Sequence, residues 1–153
     1  MNTTKSTLIL GIGNYLMGDE GIGVHAIEEL SKEQFPENVR LVDGGTGGFH
    51  LLSFFHEYDP LIIIDATMDD QPVGTVRVIQ PRFASDFPRT LSAHDIGLRD
   101  LIETAILTAP LPKIYLIVVS IHEIRSMVTD LSFEIEQTIP KIVQIVKEIL
   151  GNK

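Results

Sequence analysis

The sequence predicts a three-layer α/β domain, a mostly parallel five-stranded sheet flanked by helices. Three observations lead there. Aliphatic strand-like runs alternate with segments of helical period along the whole chain, the signature of strand–helix–strand units. The run Leu61–Ala66 is apolar on both faces, which marks a central parallel strand. Eight residues, Pro72 and Gly74 among them, separate Ala66 from the next run. A parallel crossover needs roughly a dozen or more, so the fourth strand is expected to be antiparallel.

The elements follow in order. Leu8–Ile12 is continuous and aliphatic and reads as a buried strand. Gly13–Gly21 is a loop. A helix is expected from Ile22 to Phe35, with Ala26, Ile27 and Leu30 on one face and Glu28 and Glu29 facing out. Val39–Asp43 is the second strand, Gly44–Gly48 a loop, and Phe49–His56 a short helix. After the central strand comes Thr75–Ile79, the antiparallel one. Ile96–Ile106 carries Leu98, Leu101, Ile102, Ala105 and Ile106 at helical spacing. Ile114–Val119 is the fifth strand. The last helix spans Phe133–Leu150 on the stripe Ile135, Ile139, Ile142, Val143, Val146, Ile149 and Leu150. Pro140 should bend it or mark its true start.

Composition narrows the functions. With 153 residues, 44% of them hydrophobic, the chain forms one domain over residues 1–153 with a real core. A formal net charge of −9 repels phosphate backbones, which disfavours nucleic acid as a partner. The absence of cysteine removes thiolate metal sites and a cysteine nucleophile. The apolar run Thr7–Ile12 is broken by Gly11 and is too short for a signal segment. No stretch approaches a membrane span. A cytoplasmic protein without membrane contact is expected.

In such folds the site lies beyond the carboxyl ends of the strands. The loops there are Gly13–Gly21, Gly44–Gly48, Thr67–Val73 and the stretch after Val119. The first opens with Gly11 and Gly13, like a dinucleotide fingerprint, and Asp43 stands where a ribose-binding acid would. Leu16 occupies the third glycine's place, however, and Asp19 and Glu20 would repel a pyrophosphate at the following helix start. Helix capping is the plain alternative for that pair. Asp65 ends an aliphatic strand, where a carboxylate is costly unless paired or metal-bound; a turn-forming aspartate is the plain alternative. His94 precedes a predicted helix and could equally cap it. Gly44, Gly45 and Gly47 around Thr46 exceed what a turn requires and suit a loop contacting extended peptide. No Gly-x-Ser-x-Gly elbow exists. His122-Glu123 begins like a zincin helix, but Ser126 replaces the second histidine.

The blocks Gly11-Ile-Gly-Asn14, Gly18-Asp19-Glu20-Gly21-Ile-Gly23-Val24, Asp43-Gly-Gly-Thr46-Gly-Gly48, Ile64-Asp65-Ala66, Pro72-Val-Gly74-Thr75 and His94-Asp-Ile-Gly97-Leu98 together resemble the hydrogenase maturation protease family, in order and spacing, over nearly the whole chain. The resemblance implies a twisted, mostly parallel five-stranded sheet. It implies an endopeptidase, of aspartic type, that removes the C-terminal extension of a nickel-loaded hydrogenase large-subunit precursor. It maps the metal-contacting and catalytic positions onto Glu20, Asp65 and His94, and prefers Glu20 over Asp19. Two carboxylates and an imidazole suit nickel, zinc or cadmium, and three ligands leave positions open for substrate. The nickel would come with the substrate, so no permanent cofactor is expected, and the protein is expected to be a monomer. Whether Asp65 is a general base or the metal itself polarises the carbonyl stays open. Many relatives carry Pro-Glu after the fifth strand where this chain has His122-Glu123, which bears on the substrate subgroup. The rival readings are a dinucleotide-binding enzyme and a non-catalytic metal-binding chaperone.

Overall fold

The computed structural model describes residues 5–87, 98–108 and 110–151. Five strands form one sheet in the order β2-β1-β3-β5-β4. They are β1 (Thr7–Gly11), β2 (Val39–Asp43), β3 (Leu61–Thr67), β4 (Val76–Ile79) and β5 (Ile114–Ser120). β1 pairs parallel with β2 and β3, and β3 pairs parallel with β5. The expected reversal is present: β4 runs antiparallel to β5, from Val76 opposite Val119 to Ile79 opposite Leu116. Its entry is set by a turn in which the Thr75 amide donates to the Pro72 carbonyl, and Gly74, at φ 86°, donates to the Ser120 carbonyl.

The helices are α1 (Ile22–Leu30), α2 (Phe54–Glu57), α3 (Leu98–Ile106), α4 (Phe133–Glu136) and α5 (Ile139–Gly151). Side chains alternate across each strand, so every buried strand feeds two cores. Leu8, Leu10, Ile63, Leu116 and Val118 meet Leu51, Phe55, Leu101 and Ile102, on the face of α2 and α3. Ile9, Ile62, Ile64, Ile117 and Val119 meet Ile22, Ala26, Leu30, Ile135, Ile142 and Val146, on the face of α1, α4 and α5. Each such side chain contributes about 1.5–3 kcal/mol by leaving water. β3 stands at the middle of the sheet, as its two apolar faces foretell.

Three boundaries differ from expectation. α1 stops at Leu30, its last buried residue, five residues before Phe35. The following Ser31-Lys-Glu-Gln stretch offers nothing apolar to the core, and the Ser31 hydroxyl donates to the Glu28 carbonyl at 2.6 Å, competing with helix continuation. The short helix expected at Phe49–His56 divides into a 3-10 turn, Phe49–Leu51, and α2. The last helix is two: Pro140 is the second residue of α5, where its missing N–H costs nothing, and Thr138 caps the break. Pro140 therefore marks a start rather than a bend. Among the described residues no helix is long and apolar enough to cross a membrane.

Candidate active site

The parallel strands deliver the ends of β1, β2, β3 and β5 to one edge. What brings the first loop over that edge is glycine. A Cβ on Gly23 would collide with the Ile12 and Ile64 carbonyls, and one on Gly11 with the Gly23 carbonyl. Without side chains there, the start of α1 lies directly against β1 and β3. The preceding 3-10 turn, Gly18–Gly21, then packs on β3.

That turn carries two adjacent buried carboxylates with different partners. Asp19 is 3% exposed and accepts the Ser132 backbone N–H and the Ser132 hydroxyl, each at 2.7 Å. It is a clasp between the first loop and the start of α4. Glu20 accepts the Asn14 amide on Oε2 at 3.2 Å, across the same loop. Neither carboxylate caps the helix that follows, since α1 has no side-chain hydrogen bond at its N-cap Gly21; Asp19 reaches instead to Ser132 at the start of α4. The stretch after β5 completes the loop's support. The Gly18 amide donates to the Val128 carbonyl at 2.7 Å, and the Val128 amide to the Leu16 carbonyl at 3.0 Å.

Asp65 is the half-buried position in an otherwise buried β3. It lies opposite Val118, on the face shared with Ile63 and α3. The Ala66 amide donates to its Oδ1 at 2.8 Å. Glu20 and Asp65 therefore belong to the same end of the sheet. His94 lies outside the described residues, four positions before the first residue of α3. Among the described residues no three His, Asp or Glu side chains form a group able to hold a metal.

The glycine loop sits beside the first. The Gly13 amide donates to the Gly45 carbonyl at 2.7 Å, and the Gly44 amide to the Gly11 carbonyl at 2.8 Å. Gly45 and Gly47 have φ of 56° and 88°, a region that favours glycine. A Cβ on Gly45 would meet nothing within 4 Å, and Thr46 is exposed, so this backbone is open to solvent.

These contacts remove the dinucleotide reading. The amide of Asn14 is taken by Glu20. A Cβ on Gly13 would strike the Glu20 carbonyl, so the room a pyrophosphate would need is filled by protein. Asp43 turns its Oδ1 to the Gly45 amide at 2.8 Å. His122 and Glu123 are exposed, with Glu123 4.0 Å from the Arg125 guanidinium. A groove between α1 and the α4–α5 junction, lined by His25, Glu29, Phe133 and Gln137, contains none of the expected residues.

Sequence reasoning missed two features. One is the Asp19–Ser132 clasp, which spans 113 positions. The other is Ser120, fully buried at the end of β5, with a hydroxyl that no group among the described residues pairs. A serine closing the aliphatic run Ile114–Val119 was its one visible signal.

Residues 24–149 match the hydrogenase maturation protease family. The chain belongs to that family. It is 38% identical over 121 residues to the hydrogenase expression/formation protein HupM of Azotobacter chroococcum mcd 1, a stretch covering 76% of this chain and 57% of that one. It is 36% identical over 109 residues to the hydrogenase 2 maturation protease of Escherichia coli strain K12, covering 69% of this chain and 66% of the other. The chain thus spans rather more than half the length of the curated relatives it matches. The maturation protease fold extends over nearly all of it. The hydrogenase maturating endopeptidase HybD from E. coli superposes with a TM-score of 0.86 at 30% identity, covering 96% of this chain and 93% of that one.

Proposed function

We propose that this chain is an endopeptidase that removes the C-terminal extension of a nickel-iron hydrogenase large-subunit precursor. The observation that carries the reading is the pair Glu20 and Asp65 at one end of the sheet, in a chain of the maturation protease family. In this reading Glu20, Asp65 and His94 engage a nickel ion that arrives in the precursor, and the tail lies along the loop of Gly44, Gly45, Thr46 and Gly47, over its solvent-facing part at Gly45 and Thr46. Joint engagement of the metal fixes the scissile bond against the catalytic groups, and such positioning supplies several kcal/mol of a barrier.

Asp65 then takes a proton from a water attacking the scissile carbonyl. A C–O bond forms, the C–N bond breaks, and the proton passes to the leaving amine. Zinc or cadmium would bind the same three side chains. The protein acts in this scheme as a cytoplasmic monomer on one protein partner.

The test uses metal-stripped protein with nickel-loaded and nickel-free precursor in parallel, read by the mass of the large subunit. Shortening of the loaded form alone is expected. Equal cleavage of the nickel-free form would overturn substrate-metal recognition. A precursor left intact in both arms, even with excess protein, would favour a non-catalytic chaperone.

A further inference from the structure

The catalytic end of the sheet contains a polar triangle set in an aliphatic face. Thr67 lies opposite Ser120 in the β3–β5 register, and Asp65 lies opposite Val118. By strand alternation, Asp65, Thr67 and Ser120 all point to the side on which Ile63, Leu116 and Val118 pack. Thr67 is 6% exposed and Ser120 0%, and among the described residues the Ser120 hydroxyl has no partner. A buried hydroxyl without a partner is destabilising, so its presence beside the proposed catalytic carboxylate calls for a ligand.

We propose that these three side chains bound an internal hydration site, and that the water held there makes Ser120 a positioning residue for Asp65. The spacing fits. Two residues along a strand and one strand across separate the Asp65 and Ser120 Cα atoms by roughly 8 Å. Side chains standing off the sheet at that spacing leave a gap too long for a direct hydrogen bond and right for one water. The site offers that water two hydroxyls and a carboxylate, within the two to four polar partners a buried water requires. The Ala66 amide donates to Asp65 Oδ1. A carboxylate has about four acceptor directions, so the relayed bond adds an anchor from the β5 side. Fixed from both sides, the carboxylate keeps one orientation toward the attacking water.

This inference rests on the proposed endopeptidase reading, and its test separates the two. Wild type and Ser120→Ala are crystallised and assayed on nickel-loaded precursor, with Asp65→Asn alongside. Expected are a water within hydrogen-bond distance of Ser120 Oγ and the Asp65 carboxylate, absent from Ser120→Ala, and a fall in kcat of about tenfold, the worth of one hydrogen bond to a charged group. KM for the precursor stays unchanged, and so does the folded fraction, because alanine fits wherever serine does. No water at that point, wild-type kcat in Ser120→Ala, or a loss carried by KM overturns the proposal. If Asp65→Asn cleaves as well as wild type, the endopeptidase site itself is misassigned, while the crystal structures still decide the hydration site.

Discussion

Asp19 and Glu20 are sequence neighbours with opposite predicted roles, and replacing each alone separates them. Consider Asp19→Ala. The carboxylate accepts two hydrogen bonds from Ser132, both 2.7 Å long, short enough for charge-assisted bonds. Bonds to charged groups contribute about 1.5–3 kcal/mol each. Ser132 is only half-buried, so in the variant its amide and hydroxyl regain water, and the lower end applies. The pair then contributes about 3 kcal/mol, a large part of the 5–15 kcal/mol of a typical domain. For a chain of this length 1 kcal/mol moves Tm by roughly 2–4 °C, so Asp19→Ala should lower Tm by roughly 6–12 °C. Calorimetry at neutral pH measures it. A fall of less than about 2 °C would refute the clasp. Precursor cleavage, assayed well below the lowered Tm, should persist, since this carboxylate faces Ser132. Loss of cleavage with Tm intact would make Asp19, not Glu20, the acid of the site.

Two further outcomes follow from the same geometry. Glu20→Gln, Asp65→Asn and His94→Ala should each abolish precursor processing and move Tm by no more than about 2 °C, because the first two keep size and the third removes a side chain expected to be exposed. Near wild-type processing by any of them, read by gel shift of the large subunit, would return that residue to a structural role. Gly23→Ala should lower Tm by an amount comparable with Asp19→Ala, or leave no soluble protein. The added Cβ meets backbone carbonyls of Ile12 and Ile64 that cannot turn aside, and overpacking of this kind costs about 1–3 kcal/mol or more. A Tm within error of wild type would mean that α1 is not pressed against the sheet as described.

How much of this was legible depended on range. The strands were readable to within a residue because their signal is local: five runs rich in aliphatic residues, each long enough to cross a core. The antiparallel β4 was readable from chain length alone, since eight residues between Ala66 and Thr75 cannot make a crossover. The end of α1 was not, because Phe35 continues the helical spacing while the Ser31 hydroxyl, bonding Glu28, ends the helix. At Pro140 the sequence offered two outcomes, and only the Thr138 cap selects between them.

The same distinction divides the site. Asp65 announced itself by local contrast, a carboxylate closing an aliphatic strand. Nothing local tells Glu20 from Asp19, because the difference lies in Ser132 at the far end of the chain. Nor does the glycine pattern declare its purpose. A nucleotide loop and this loop make one common demand, that a helix start lie close against a strand end, and glycine meets it in both. Here the close approach falls at Gly23, which touches the carbonyls of Ile12 and Ile64, and not at the position of Leu16. The two designs part at the anion. A pyrophosphate loop leaves its amides for the ligand, whereas here Glu20 brings its own carboxylate to the Asn14 amide. In the proposed reading that carboxylate meets a cation instead of an anion, the metal carried in by the protein partner.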